Sequence, residues 1–224
     1  MILLFSAFAL AALMIAIALF ARHNYIGLPE LPSVDTSEAV DHVVIIPARD
    51  EAPRIARAVK SFPDSDVVVV DDHSTDATAE IAAAAGAHVR QAEPLQANWK
   101  GKPNACWTGA LYTDSKWILF VDADTWYEPA FLPALLNYAV SENLAALSVF
   151  PRQHRLSFFE NLLLPYAFGL YFSGVDPSRV NNLLKPEALA NGQCLLVRRE
   201  AYEFIQGHRA VATSAVEDVA LARL

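Results

Sequence analysis

From Val43 onward, short apolar runs rich in valine and isoleucine alternate with segments of helical period, and that order leaves few architectures open. Val43–Ile46, Asp66–Val70, Ala87–Arg90, Trp117–Val121 and Leu144–Phe150 read as strands, the second carrying a run of valines. Runs this apolar suit strands covered on both faces. The intervening pattern predicts helices over Glu51–Ser61, Thr75–Ala85, Pro103–Tyr112 and Glu128–Val140. Ile55, Ala56 and Val59 give the first an apolar face. Gly86 closes the second, and Pro129 falls in the first turn of the last, where proline is tolerated. A βαβα order of this kind predicts an α/β fold, a mostly parallel sheet with helices on both faces.

A different signal precedes it. From Ile2 to Phe20 there is no charge, and Ser6 is the one polar side chain. As a helix the run spans about 28 Å at 1.5 Å per residue, close to a hydrocarbon thickness of roughly 30 Å. A cleaved signal peptide usually opens with positive charge, whereas here none precedes the run and Ala21-Arg22-His23 comes after it. A retained anchor over residues 1–21 is therefore expected, then a linker over 22–41 and the α/β domain over 42–224. Arg22 favours a cytoplasmic location for the α/β domain, at the inner face of the cell membrane. The apolar stretch Phe158–Phe172, interrupted by Pro165, reads either as a core helix or as a helix lying among lipid headgroups. The net charge of −8 gives nucleic-acid binding no support. Cys106 and Cys194 show no zinc or redox spacing and read as free thiols.

Four motifs carry the chemistry. Ile118-Leu119-Phe120-Val121-Asp122-Ala123-Asp124 ends a strand in two carboxylates one residue apart. In open α/β sheets ligands bind beyond the carboxyl ends of the strands. Two such carboxylates repel each other unless something positive sits between them, and a hard divalent cation carrying phosphate oxygens meets that need. Val70-Asp71-Asp72-His73-Ser74-Thr75-Asp76 places acids past another strand, where a carboxylate can meet a base or ribose, or simply form a turn. Ser74 or Thr75 is a candidate cap for the next helix, as Asp50 is within Ile46-Pro47-Ala48-Arg49-Asp50-Glu51. Trp99-Lys100-Gly101-Lys102-Pro103-Asn104 sets lysines at a helix start, suited to a diphosphate or to plain solvation. The spacing is not that of a Walker A loop. Glu217-Asp218 reads as an exposed acidic pair or as a source of a general base.

In this order the blocks resemble the family 2 glycosyltransferases of the GT-A, Rossmann-like fold, from about Val43 to the last residue. Within that family, Trp99–Lys102, Asn191–Arg199 and Glu217-Asp218 are similar to a membrane-anchored branch acting on polyisoprenoid-type lipids. That branch includes carotenoid (diaponeurosporenoate-type) and hopanoid-associated glycosyltransferases. The resemblance implies an inverting transfer of a sugar from a nucleotide-sugar, UDP-linked above all, to a hydroxyl or carboxyl of a membrane lipid. It implies that Pro47, Ala48 and Glu51 line the donor pocket, that Asp72 contacts the base, and that Lys102 lies near the phosphates. Asp122 would sit near ribose and metal, and Asp124 would ligate Mg2+ or Mn2+. Asp218 would be the base with Glu217 in support, and Gln193 and Phe158–Phe172 would lie toward the acceptor.

Two departures stand beside the match. A Gln-x-x-Arg-Trp block, found in processive members, is absent. Relatives in the branch continue past the position of Leu224, so the domain is expected to be truncated at its C-terminus. The competing readings are an inactive membrane-anchored remnant that binds nucleotide-sugar, and a phosphatase using Asp-x-Asp. The second expects its motif on the first strand and Thr or Val where Trp126 stands. Dinucleotide binding lacks its G-x-G-x-x-G after the first strand.

Overall fold

The structure is a computed structural model and describes residues 2–32, 39–151, 157–174, 177–180, 182 and 188–224. In chain order the elements begin α1 (Ile2–Ile26), β1 (His42–Ala48), α2 (Ile55–Lys60), β2 (Val67–Asp71) and α3 (Thr78–Ala84). Next come β3 (His88–Gln91), α4 (Gly101–Leu111), β4 (Trp117–Val121), α5 (Phe131–Ser141) and β5 (Ala146–Ser148). The last are α6 (Phe158–Ser173), α7 (Pro177–Val180), β6 (Cys194–Arg198), α8 (Arg199–Phe204), α9 (Gly207–Ala210) and α10 (Glu217–Ala222). They form two compact units, residues 1–30 with 152–188, and residues 31–151 with 189–224.

In the first unit α1 runs past the boundary expected at residue 21, and the segment 152–188 groups with it. Among the described residues of α1, the buried ones lie in its C-terminal part. Ala21 and Asn24 are buried, while Phe5, Phe8, Leu13, Ile15 and Leu19 are exposed. The Asn24 side-chain amide donates to the Phe172 carbonyl at 2.8 Å, satisfying an otherwise open carbonyl in the last turn of α6. The Tyr25 ring meets Phe172 edge-on at 5.3 Å. Phe158, Phe159, Leu163 and Leu170 of α6 are exposed. Those exposures favour the surface-helix reading of this stretch, although Phe172 at its end is buried.

The second unit is built on a six-stranded sheet ordered β3-β2-β1-β4-β6-β5. β3, β2, β1 and β4 are parallel to one another, and β6 runs antiparallel between β4 and β5. The parallel alternation expected from sequence therefore ends at β4. The expected strand Leu144–Phe150 shrinks to the edge strand β5, because its pairing is limited to three residues opposite β6. Alternate strand residues enter two cores, one on each face of the sheet. Val44, Ile46, Val69, Leu119 and Leu196 pack beneath α2 and α5, with Ile55, Val59, Leu132 and Leu135. Val43, Ile45, Val70, Ile118, Phe120 and Val197 pack on the other face with Ala105, Cys106, Tyr202 and Leu221. Each aliphatic side chain so buried stabilises the fold by about 1.5–3 kcal/mol.

Helix starts differ from expectation by one physical cause. Asp50 and Thr75 do not cap their own helices. α2 begins at Ile55 and α3 at Thr78, with no side-chain cap bond on either. Instead the two loops lace to each other. Asp50, in the left-handed region at φ 55, accepts from the Thr75 N–H at 2.7 Å. The Asp50 N–H donates to Ser74 Oγ at 3.0 Å, the Glu51 N–H to Thr78 Oγ1 at 2.8 Å, and the Ala52 N–H to Asp76 Oδ2 at 3.2 Å. The stop expected at Gly86 is present. After α3, Gly86 takes φ 105 while the Ala87 N–H returns to the Ala82 carbonyl at 3.1 Å.

Candidate active site

β1 and β4 are where the strand order reverses, the place where open α/β sheets leave a crevice. β1 stays paired to β2 through Ala48↔Asp71, but its pairing to β4 stops at Ile45↔Phe120. Pro47 explains the difference. The Val44 N–H points to β2, so by strand alternation the nitrogen of Pro47 faces β4 and has no hydrogen to donate. The two strands part at Pro47 and Ala48, and the residues beyond them converge on the gap.

From the β4 side come Asp122 and Asp124. Thr125 turns the chain there, its N–H and hydroxyl both reaching the Asp122 carbonyl, at 3.1 and 2.7 Å. Asp122 is half-buried and Asp124 exposed. Across the gap lies the first turn of α4, and Lys102 Nζ stands 2.7 Å from Asp122 Oδ1. The same ammonium is 3.1 Å from Glu217 Oε1 at the start of α10. Glu217 is buried, and Lys102 is the cation it meets. Burial would lower the Lys102 ammonium, but Asp122 and Glu217 more than offset it and hold it well above the usual lysine range. Burial pushes the Asp122 carboxyl up; Lys102 pulls it back, and Asp124 and Glu217 push it further up.

Asp218 joins the group through the backbone. Its Oδ2 accepts the Gly192 N–H at 2.6 Å, and its Oδ1 accepts the Val219 N–H at 2.8 Å. Gly192 leaves room there for both side chains. A Cβ on it would lie 2.9 Å from Lys102 Nζ and 3.1 Å from Asp218 Oδ2. Because β6 is antiparallel, its first residues meet the end of β4, which brings residues 191–193 to this edge. Asp72, just past β2, lies against Gly101, where a Cβ would collide with its Oδ2. Its other neighbour is Arg49, with NH1 3.8 Å from Oδ2.

The expected site residues divide accordingly. Lys102, Asp122, Glu217 and Asp218 come together; Asp72 sits at the α4 start beside them, and Pro47 and Ala48 end β1 at the gap. Glu51 lies in the laced loops, paired to Arg54 at 2.9 Å. The Gln193 carbonyl accepts from the Tyr127 hydroxyl at 2.7 Å. Gly192 was missed as a site residue; a glycine just before an apolar strand was the available signal. His208 and Tyr202, buried behind α4, were missed too, since nothing local marks them. Glu217 is placed on Lys102 rather than on Asp218.

Among the described residues no group of three or more His, Cys, Asp or Glu side chains is placed to hold a metal. Asp122 and Asp124 are the carboxylates that would hold Mg2+ or Mn2+, ions that typically take one or two carboxylates and complete their shell with water and substrate phosphate.

A mostly parallel sheet with a reversed strand beside a carboxylate-bearing crevice is the arrangement of the GT-A fold. In line with that, the structure is similar to a mannosyltransferase from Pyrobaculum calidifontis, solved in complex with GDP-Man and Mn2+. The TM-score is 0.58 at 20% identity, over 90% of this chain and 57% of that one. The profile of glycosyl transferase family 2 matches residues 43–205, and the chain belongs to that family. It is 28% identical over 213 residues to a 4,4'-diaponeurosporenoate glycosyltransferase of Staphylococcus haemolyticus (strain JCSC1435), covering 92% of this chain and 56% of the relative. It is 32% identical over 191 residues to the protein of that name from Staphylococcus aureus (strain USA300), covering 80% of this chain and 49% of the relative. The chain thus spans about half the length of these relatives.

Proposed function

We propose that this chain carries the donor-binding and catalytic part of an inverting, metal-dependent glycosyltransferase. It moves a sugar from a nucleotide-sugar, UDP-linked by preference, to a hydroxyl or carboxyl of a membrane lipid of carotenoid or other isoprenoid kind. The observation that carries the reading is the convergence of Lys102, Asp122, Glu217 and Asp218 on the gap between β1 and β4. The names of the staphylococcal relatives support the acceptor class, and the complex of the Pyrobaculum neighbour supports a nucleotide-sugar donor and a divalent cation.

In this reading Pro47, Ala48 and Glu51 line the donor pocket and Asp72 meets the base. Gln193 lies toward the acceptor. Lys102 offers its ammonium to the diphosphate. Asp122 and Asp124 would hold a divalent cation, which would neutralise the charge that grows on the leaving diphosphate. Asp218, its orientation fixed by two backbone N–H groups, takes the proton of the attacking hydroxyl. The new bond forms from acceptor oxygen to the anomeric carbon as the bond to the diphosphate breaks, and the nucleoside diphosphate departs. Attack opposite the leaving group inverts that carbon.

α1 supplies the membrane attachment. Among the described residues it is the helix long and apolar enough to cross a bilayer, over Phe8–Ile26. Arg22 beyond its apolar run favours a cytoplasmic catalytic unit at the inner membrane face.

The test uses the full chain in detergent with UDP- and GDP-sugars, Mn2+ and membrane lipid extract. Metal-dependent loss of donor is expected, and Asp218→Asn should abolish it while leaving calorimetric donor binding in place. Failure of the unaltered chain to bind any nucleotide-sugar would overturn the reading.

A further inference from the structure

Resting on that reading, we propose that Lys102 and Glu217 form an internal counter-ion pair. The ammonium holds Asp122 while the donor is absent and turns to the diphosphate when the donor arrives. Glu217 is then a positioning residue for Lys102, separate from proton transfer at Asp218.

Three observations carry this. Lys102 Nζ bridges two carboxylates, at 2.7 Å from Asp122 Oδ1 and 3.1 Å from Glu217 Oε1. The two partners differ in surroundings. The Glu217 side chain is 10% exposed and that of Asp122 is 28% exposed. A buried carboxylate that loses its cation bears the full cost of desolvation, so Glu217 keeps Lys102 in place. Asp122, nearer solvent, can exchange the ammonium for another cation. Finally, Gly192 lies beside the ammonium, since a Cβ there would come within 2.9 Å of Nζ. The ammonium is therefore held between Glu217 and Asp122 at the start of α4, and its third hydrogen is left for a phosphate oxygen.

The consequence is a coupling between ligands. With no nucleotide present, a divalent cation must compete with Lys102 for Asp122. Once a diphosphate draws the ammonium away, Asp122 is released to the cation. Nucleotide and metal then favour each other beyond the phosphate oxygens they share, and the effect is reciprocal.

Mn2+ binding without nucleotide reads this directly, in the full chain in detergent, by calorimetry or by the Mn2+ electron spin signal. Removing both charges, Lys102→Met with Glu217→Gln, avoids a buried lone carboxylate. This variant should bind Mn2+ alone about tenfold more tightly than the unaltered chain, within the usual span of coupled sites. It should bind UDP in EDTA about tenfold more weakly, on the same scale. Glu217→Gln alone should leave Mn2+-alone binding no tighter, because Lys102 still covers Asp122. Equal Mn2+-alone affinity in the double variant and the unaltered chain would overturn the counter-ion role. The metal-alone comparison stands apart from donor turnover, so its failure is distinguishable from failure of the transferase reading.

Discussion

The Gly192 N–H donates to Asp218 Oδ2 across 2.6 Å, tying the approach to β6 to the first turn of α10. The bond places the proposed base by backbone geometry, and the absence of a side chain at 192 leaves room for the Lys102 ammonium.

Gly192→Ala is therefore expected to damage the site far more than the fold. The atoms its Cβ meets are ends of flexible side chains, Lys102 Nζ and Asp218 Oδ2. Stability should fall by no more than about 1 kcal/mol, while turnover should drop by about tenfold or more as ammonium and base shift. Denaturant titration beside donor turnover separates the two; a large stability loss with normal turnover per folded molecule would count against the assignment.

Asp124→Ala should remove the gain in UDP affinity that Mn2+ provides and leave metal-free affinity nearly unchanged. Calorimetry with and without Mn2+ reads both. A gain of unaltered size in the variant would take Asp124 out of the metal's ligand set.

His208 sets a pH dependence. The Tyr202 hydroxyl accepts the His208 backbone N–H at 3.2 Å and lies 2.8 Å from His208 Nδ1. Burial, helped by the charge of Lys102, lowers the imidazole to about 3. Unfolded histidine titrates near 6.5, so below that pH the unfolded chain binds a proton the folded chain refuses. The contribution is complete above about pH 6.5 and is lost as pH falls toward 3, at up to about 1.4 kcal/mol per unit. His208→Asn should flatten the decline between pH 7 and 4.5 in denaturant titrations. An equally steep decline would assign it to other groups.

Deleting residues 2–20 while keeping Ala21 and Asn24, which α6 covers, should lower the fraction of chain floating with lipid vesicles. Full retention on vesicles would shift attachment to the exposed Phe158, Phe159 and Leu163 of α6.

Much of the fold was legible because burial on both faces leaves runs of valine, isoleucine and leucine with little else. Trp117–Val121 matches β4 residue for residue. The reversal of β6 was not legible, since an apolar run such as Cys194–Val197 carries no mark of direction. Helix starts were misjudged because Asp50 and Thr75 have capping chemistry but use it between loops. At the site, individual acids and lysines could be singled out, yet the partnership of Lys102 with Glu217 could not. It depends on how α10 returns across α4, and two distant polar residues do not announce a meeting.

β5 runs in the same direction as β4, with β6 reversed between them, so β5 ends and β6 begins at the edge where the crevice lies. The two ends are stitched by Ser148, whose Oγ takes the Asn191 N–H at 2.7 Å and donates to the Asn191 carbonyl at 3.3 Å. The connection between β5 and β6 therefore starts and finishes on adjacent strands at this edge. Doubling its length raises its closure cost by only about 0.6 kcal/mol. Length added to that connection leaves the strand pairings that position Asp122 and Gly192 as they are.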